Sequence, residues 1–204
     1  IAPRDFLFRC REFHIGEFEF FIHPEEKECE LLTDDDKNIT FQFLSQKNQG
    51  KIHKEEKASI NSLLDDKLCD PWHAYWLAQQ FAWFDAIGVK KKNLRLREHL
   101  KTELSHYSTA TFDIEYKFPF GTKEITGIAN RGQYDLTCHQ ANSKKSQEIF
   151  DEETKQKIIP RVIEPTWGLG RVFLTIIMDG YDDNKERGNI VLHREHVLDV
   201  LIVP

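Results

Sequence analysis

Two alternating runs joined by a tight turn constrain this sequence more than any other feature. From residue 109 to 118, apolar side chains alternate with polar ones, which predicts a strand with one buried face. Its apolar positions are Ala110, Phe112, Ile114, Tyr116 and Phe118. Pro119-Phe120-Gly121 then turns the chain into a second predicted strand over residues 124 to 129. The pair predicts an antiparallel hairpin.

One helix is predicted before this hairpin in the sequence, and a second helix is predicted after it. Asp70-Pro71 supplies an N-cap residue and a proline at the first helical position, and aromatic residues recur at helical spacing until Gly88. Such an aromatic face is far more often core packing than a cofactor site. The second helix is amphipathic and extends to about Tyr181. Its apolar positions are Leu169, Val172, Phe173, Ile176 and Ile177.

The opening segment is rich in phenylalanine and predicts a strand over residues 6 to 22. On a period of two, Arg9, Arg11, Phe13 and Glu17 project from one side. An aromatic ring beside guanidinium groups can stack on a base and bind its phosphates, and a carboxylate further along can hold an amine. The alternative is a solvated strand with paired charges.

The segment from Glu164 to Arg171 leads from a strand into the second helix and contains Gly168 and Gly170. Glycines allow a close approach of the backbone to a ligand, and a helix start offers free N–H groups. Arg171 adds a delocalised cation. The pattern therefore predicts a phosphate or nucleotide site. A turn with glycines and a surface arginine is the structural alternative.

The second strand of the hairpin carries Glu124 near its start and Arg131 seven residues further on. A carboxylate at Glu124 is suited to a metal ion bound to phosphates. Its spacing from Arg131 places the two at opposite ends of the strand. An ordinary strand with surface charges remains the alternative.

Composition narrows the class of protein. The chain has 204 residues, 12% aromatic, which suits one globular domain, and a net charge of −6, which argues against a surface that attracts nucleic acid as a whole. Its two basic runs, Lys90 to Arg97 and Lys51 to Lys57, are more often solvated faces than phosphate tracks. Its four cysteines form no C-x-x-C pair, so we expect reduced thiols and no zinc site. No apolar run is long enough for a bilayer, and we expect a soluble, cytoplasmic protein.

Several segments together carry a resemblance to a known family. Residues 2 to 13 resemble the loop and second strand of motif 2 of the class II aminoacyl-tRNA synthetases, and Val162 to Phe173 resembles motif 3. Further segments are similar to glycyl-tRNA synthetases of the archaeal and eukaryotic type, in the same order. They are residues 93–99, 105–107, 113–121 and 127–131. The last, Gly-Ile-Ala-Asn-Arg, distinguishes the glycine enzyme from its class II relatives.

The resemblance implies an α+β fold, in which an antiparallel sheet is flanked by helices and carries a small insertion. Four regions follow from it. Residues 1–24 and 72–181 form the catalytic domain, residues 25–71 are an insertion near the tRNA acceptor stem, and residues 182–204 are a linker and the start of an anticodon-binding domain.

The resemblance also implies site residues. Arg9 contacts the α-phosphate of ATP, Phe13 stacks on adenine, and Arg171 lies on the other face of the adenine; the two arginines are the catalytic residues. Glu124 and Ile125 complete the ATP site, where Glu124 acts through Mg²⁺. The glycine-binding positions are Glu17, Arg131, Glu164 and Thr166.

The implied activity is that of a glycine–tRNA ligase, which activates glycine with ATP and transfers it to tRNA(Gly). The full enzyme is expected to be a homodimer. Motif 1 and the first strand of motif 2 should precede Ile1, so we expect an N-terminal segment or a partner chain to complete the site. Without it, we expect the chain to be inactive or nearly so. The family usually has serine where Thr166 stands.

Two alternatives remain open. One is a noncatalytic interaction protein on the same scaffold, like the synthetase-like accessory subunit of the mitochondrial DNA polymerase. A pure scaffold has no reason to keep two cations and three acids in these motifs, which argues against it. The other is a different class II synthetase, of which those for serine, proline or histidine are less expected.

Overall fold

The structure is a computed structural model that describes residues 2–50, 54–104, 108–181, 183–184 and 189–190. The strands are β1 (Ile15–Glu17), β2 (Phe20–Ile22), β3 (Thr40–Leu44), β4 (Glu56–Ser59), β5 (Leu94–Glu98), β6 (Ala110–Phe118), β7 (Gly121–Gly132), β8 (Ile149–Asp151), β9 (Gln156–Ile158), β10 (Arg161–Gly168), β11 (Asp183–Asn184) and β12 (Asn189–Ile190). The α-helices are α1 (Asp34–Lys37), α2 (Ile60–Asp65), α3 (Pro71–Ala86), α4 (Tyr134–Ser143) and α5 (Leu169–Gly180). Short 3₁₀ turns lie at Phe6–Phe8, Gln46–Asn48 and Lys91–Asn93.

One sheet of eight strands forms the centre of the fold. Its order is β1, β10, β7, β6, β5, β3, β4, and β2 pairs with β10 further along the same edge as β1. The described strands of this sheet pair in antiparallel fashion except β3 and β5, which are parallel. The predicted hairpin is confirmed by β6 and β7. The predicted α+β fold, a sheet flanked by helices, is confirmed.

The two faces of the sheet differ in character. On one face Phe112, Ile114, Ile128 and Ile163 are fully buried, and α3 and α5 pack over them. The predicted start of α3 is confirmed, since the carboxylate of its N-cap Asp70 accepts from the backbone N–H of the third helical residue at 3.0 Å. The opposite face carries charged and small residues, and the site lies there.

The opening segment departs from the prediction. The strand expected over residues 6 to 22 begins at Ile15, and the chain before it forms a tight loop in which Asp5 and Phe6 adopt positive φ angles of 55° and 54°. The loop folds back because the Phe8 ring packs against the rings of Phe118 and Phe120, at centroid distances of 5.1 and 5.8 Å. The prediction was wrong for residues 6 to 14.

Residues 25 to 71 contribute to the sheet itself. Their strands β3 and β4 form one edge, and Phe41 of β3 stacks on Phe81 of α3 at a centroid distance of 4.8 Å. Whether this region is an insertion relative to other proteins stays a prediction. Several of the segments discussed above lie outside the described residues. They are residues 105–107, Lys51 of one basic run, most of the linker after residue 181 and the expected start of an anticodon-binding domain.

The first basic run is occupied by ion pairs. Arg95 binds Glu55 and Glu115, with closest distances of 2.6 and 2.5 Å, and Lys91 lies 3.1 Å from Asp85. The run therefore offers little free charge to a phosphate backbone. Among the described helices, none is long and apolar enough to cross a membrane.

A buried network fixes the end of α5. Asp179, 4% exposed, accepts from the Tyr116 hydroxyl at 2.9 Å, the Asn93 amide at 2.5 Å and the Lys90 backbone N–H at 3.0 Å. Since α5 begins beside the candidate site, this network also supports the site.

We expect Asp179→Ala to lower the free energy of unfolding by about 3 kcal/mol, because it leaves buried donors without an acceptor. Asp85→Ala is the matched control: it removes an exposed ion pair, and we expect a loss below about 0.5 kcal/mol. Urea unfolding measures both. Equal losses in the two variants would contradict the importance of the network.

His73 of α3 is completely buried and binds the backbone carbonyl of Ile128 through Nε2 at 3.1 Å. Burial lowers its pKa from 6.5 to about 4, against the opposing charge of Asp70. The folded protein therefore excludes a proton that the unfolded chain binds between pH 6.5 and 4.

Stability should consequently fall as the pH drops through that window, by about 3 kcal/mol from this group alone. In His73→Gln, whose amide can still donate to the carbonyl, we expect a smaller dependence on pH. The exposed His139→Gln serves as the control and should keep the wild-type slope. Urea midpoints measured from pH 7 to pH 4 test this. Parallel curves for wild type and His73→Gln would refute it.

Candidate active site

The register of the sheet lines up a row of side chains on its polar face. Glu17 of β1 pairs with Thr166 of β10, Thr166 pairs with Gly127 of β7, and Gly127 pairs with Asp113 of β6. Directly paired residues of antiparallel strands point to the same face. Segments that are distant in sequence thus contribute to one surface.

An irregularity in the hairpin brings Glu124 onto the same face. The register of β6 against β7 shifts between Ile114 and Glu115, so that Thr126 pairs with Ile114 but Glu124 pairs with Glu115. Ile125 is the extra residue. Without this bulge, strict alternation would place Glu124 on the core face.

A hollow of about 580 Å³ lies where the opening loop meets β7, β10 and the start of α5. The structure brings several of the predicted residues together around it. They are Arg9, Phe13, Glu124, Thr166 and Arg171. Phe13 is 64% exposed, so its ring is available to a flat ligand. The role predicted for each residue stays a prediction.

Arg171 holds the walls of this hollow in place. Its guanidinium lies 3.3 Å from the Glu124 carboxylate and donates to the backbone carbonyls of Glu124 at 3.1 Å and Phe8 at 3.0 Å. It also lies over the Phe8 ring, 5.3 Å from the centroid. The opening loop, the hairpin and the helix start are thereby joined by one side chain.

A second, smaller hollow of about 200 Å³ adjoins the first, and Glu124 and Thr166 line both. Glu164 lines the smaller one and forms an ion pair with Arg131, which also lies 2.6 Å from Asp135. The residues of its floor, Gly127 and Ala129, are small. This hollow has room for a compact ligand and is lined by acids.

Three predicted residues line neither hollow, and one of them, Arg131, is connected to the smaller hollow through its ion pair with Glu164. Glu17 is exposed beside Thr166 but lines neither hollow. The Ile125 side chain is fully buried in the core, so any contact with a nucleotide would come from its backbone.

Sequence reasoning missed a cluster of charged and polar side chains beside the smaller hollow. Asp113 and His99 line it, and His99 Nε2 lies 2.7 Å from Asp113 Oδ2. Arg97 Nη1 lies 3.2 Å from the same oxygen. The available signal was alternation, because Asp113 occupies a polar position of the predicted strand, but nothing local paired it with Arg97 and His99.

The acids of the two hollows influence one another. Partial burial and then the charge of Asp113 raise the pKa of the Glu124 carboxyl, although Arg171 opposes the shift. Burial lowers the pKa of His99, but its hydrogen bond to Asp113 and the charge of that carboxylate outweigh burial, so the pKa lies above the usual value. The acidic groups around the two hollows thus favour the protonated form of their neighbours.

Comparison with known proteins gives a consistent picture. The chain is 39% identical over 191 residues to a glycine–tRNA ligase of Acetivibrio thermocellus, a match that covers 93% of this chain and 32% of that protein. The chain is thus similar to one part of a glycine–tRNA ligase. It is 37% identical to the Mesoplasma florum enzyme, covering 93% of this chain and 33% of that protein. It is 38% identical to the Geobacillus kaustophilus enzyme, and this match covers 91% of this chain and 31% of that protein.

The chain thus spans about a third of the length of the curated relatives it matches. The archaeal and eukaryotic type stays a prediction. No family model matches the sequence. A solved structure, Giardia lamblia prolyl-tRNA synthetase in complex with prolyl-adenylate, overlaps with a TM-score of 0.47 at 12% identity, covering 86% of this chain and 25% of that one. That overlap is too loose to support an argument.

We expect Gly168→Ala to weaken the binding of ATP, used as a probe of the larger hollow. A Cβ at this position would lie 3.0 Å from Cδ of Arg171 and would push that side chain aside. A loss of about fivefold in affinity corresponds to about 1 kcal/mol, roughly one weakened hydrogen bond. Gly50→Ala is the control, since a Cβ there would have no atom within 4 Å and Gly50 lines neither hollow. Equal affinities in the two variants, measured by calorimetry, would argue against Arg171 as a ligand of the nucleotide.

Proposed function

We propose that this chain forms the ATP- and glycine-binding part of a glycine–tRNA ligase. The observation that carries the proposal is the pair of adjoining hollows, which share Glu124 and Thr166. One is large and combines an aromatic ring with arginines, and the other is small and acidic. A nucleotide and a small amino acid bound in them would meet at the shared wall. The similarity to proteins named glycine–tRNA ligase supports the same assignment.

ATP is proposed to occupy the larger hollow. Phe13 offers an exposed ring on which adenine can stack, and Arg9 and Arg171 supply cations for the phosphates. The volume of about 580 Å³ is in the range of small-molecule sites.

Mg²⁺ is proposed to bind through ATP and Glu124. In the described part of the chain, no group of three or more His, Cys, Asp and Glu side chains could hold a metal. Mg²⁺ commonly binds through one or two carboxylates together with substrate phosphates and water, so a single carboxylate on the wall of the hollow fits. The ion would neutralise charge on the phosphates.

Glycine is proposed to occupy the smaller hollow. Its volume of about 200 Å³ and its lining of acidic side chains suit a short molecule with an ammonium group. Glu164 and the neighbouring Thr166 hydroxyl, 3.4 Å from the Glu164 carboxylate, provide acceptors. The methyl group of Thr166, where the family usually has serine, narrows the space for a substrate side chain. Glu17, the strand partner of Thr166, and Arg131, which forms an ion pair with Glu164, complete the proposed set.

The chemistry follows from this placement. The glycine carboxylate attacks the α-phosphorus in line, the new O–P bond forms, and the bond to the departing pyrophosphate breaks. Arg9 offsets the negative charge that develops on the α-phosphate. In the second step a ribose hydroxyl of tRNA(Gly) attacks the carbonyl carbon, loses its proton, and AMP leaves. The carboxylate is already a nucleophile, so no activated serine or cysteine is required.

Further features remain part of the proposal. They are cytoplasmic location, a homodimer of the full enzyme, binding of tRNA(Gly), and completion of the site by an N-terminal segment or partner chain. Glycine-dependent exchange of pyrophosphate into ATP by these 204 residues alone would refute the last.

A non-hydrolysable glycyl-adenylate analogue, 5′-O-(N-glycylsulfamoyl)adenosine, tests the proposal directly. We expect the chain to bind it at least about tenfold more tightly than the alanyl analogue, because each added methyl group in a tight pocket costs about 1–3 kcal/mol. Thr166→Ser enlarges the pocket, and we expect it to reduce this preference about threefold without abolishing binding. Calorimetric titration measures both.

An exposed substitution outside both hollows, Thr137→Ser on α4, is the control and should behave as wild type. A noncatalytic scaffold would bind neither analogue. Preference for another aminoacyl group would reassign the chain to a different synthetase. If Thr166→Ser left discrimination unchanged, the role of this side chain in the pocket would be wrong.

A further inference from the structure

Asp113 lies in an unusual position for a carboxylate. It is 4% exposed, in the middle of β6, yet it lines the smaller hollow. A buried carboxylate is costly unless it is paired. Its oxygen Oδ2 accepts both partners, with His99 Nε2 at 2.7 Å and Arg97 Nη1 at 3.2 Å. For the other oxygen, Oδ1, the described residues supply no hydrogen-bond donor.

The direction of Oδ1 is set by Gly127. A Cβ on that glycine would lie 3.5 Å from Oδ1, so the oxygen faces the space that the missing side chain leaves open. Gly127 pairs with Asp113 on one side and with Thr166 on the other. Two strand spacings separate Asp113 from Thr166, roughly 10 Å between backbones, which leaves room for a small molecule between them.

A purely structural role does not account for this arrangement. A carboxylate that serves an arginine commonly offers both oxygens to it, whereas here a single oxygen takes both donors. Arg97 is also not dependent on Asp113, because its guanidinium binds Glu103 at 2.5 Å and Gln49 at 3.1 Å. Arg97 forms ion pairs with both Glu103 and Asp113. Its single positive charge therefore does not fully neutralise the Asp113 carboxylate.

We propose that Asp113 binds the ammonium group of the amino-acid substrate through Oδ1, and that His99 is a positioning residue that fixes the carboxylate through Oδ2. The proposal rests on the function proposed above and adds an acceptor to the wall facing Thr166. Asp113 lies on the opposite side of Gly127 from β10, so the ammonium group is held from both sides of the small floor.

The test compares two analogues that differ in the amino group alone. One is 5′-O-(N-glycylsulfamoyl)adenosine, and the other is the propionyl analogue, in which a methyl group replaces the amine. We expect the wild-type chain to prefer the glycyl analogue strongly. Asp113→Asn, which keeps the shape and removes the charge, should reduce this preference at least about tenfold, since hydrogen bonds to charged groups contribute about 1.5–3 kcal/mol. Its affinity for the propionyl analogue should change less than about twofold.

Glu115→Gln is the matched control. Glu115 lies two residues further on the same strand and face, is also buried, and is paired with Arg95 at 2.5 Å, but it does not line the smaller hollow. We expect it to keep the wild-type preference. If Asp113→Asn and Glu115→Gln show the same preference as wild type, the proposal is overturned while the proposed function stands.

His99 variants keep the test decisive if Asp113→Asn does not fold. His99→Ala removes the donor to Oδ2 and should reduce the glycyl preference about threefold, whereas His99→Gln, which can still donate, should restore it. An unchanged preference in a folded His99→Ala overturns the positioning role. A wild-type chain that binds neither analogue overturns the proposed function, and the role of Asp113 with it.

Discussion

The register of β10 between its two neighbours is the constraint on which the site depends. This strand pairs with β1 and β2 on one side and with β7 on the other, so Thr166 has Glu17 and Gly127 as its direct neighbours. Because successive residues of a strand point to opposite faces, a slip of one residue would move Glu164 and Thr166 into the core. The Thr126 hydroxyl, which donates to the Thr166 carbonyl at 2.7 Å, helps to keep this alignment.

The acids that line the smaller hollow each have a basic partner that comes from another element. Glu124 is paired with Arg171, Glu164 with Arg131, and Asp113 with Arg97 and His99. Half-buried carboxylates close together would otherwise repel one another and take up protons. The pairing keeps several negative charges around a small volume, which is the condition that an ammonium group requires.

Much of the fold could be predicted because its signals are local. Three features are specified by residues close together in sequence, and each is present in the structure. They are the hairpin, the cap of α3 at Asp70 and the amphipathic face of α5. The glycine-bearing entrance to α5 lines the larger hollow, and its role as a ligand site stays a prediction. What failed depends on contacts across the chain. The opening loop turns early because Phe8 finds Phe118 and Phe120, rings more than a hundred residues away.

The same limit explains the parts of the site that sequence reasoning missed. Alternation alone would put Glu124 on the core face of the sheet. No feature of the neighbouring sequence predicts the bulge at Ile125 that brings Glu124 to the polar face. Asp113 was visible as a polar residue in a strand, but its significance comes from Arg97 on the neighbouring strand β5 and from His99 just after that strand ends. Such pairings emerge when the sheet assembles.

The parallel pairing of β3 with β5 limits how this protein can be shortened. Excising residues 25 to 71 to obtain a minimal domain would strip β5 of its outer neighbour and take Phe41 from its stack on Phe81. The bared strand, with unpaired amides and carbonyls along its length, would become a template for another chain. A truncated protein would accordingly tend to self-associate. Residues 25 to 71 therefore protect the edge of β5 and cannot be removed without exposing it.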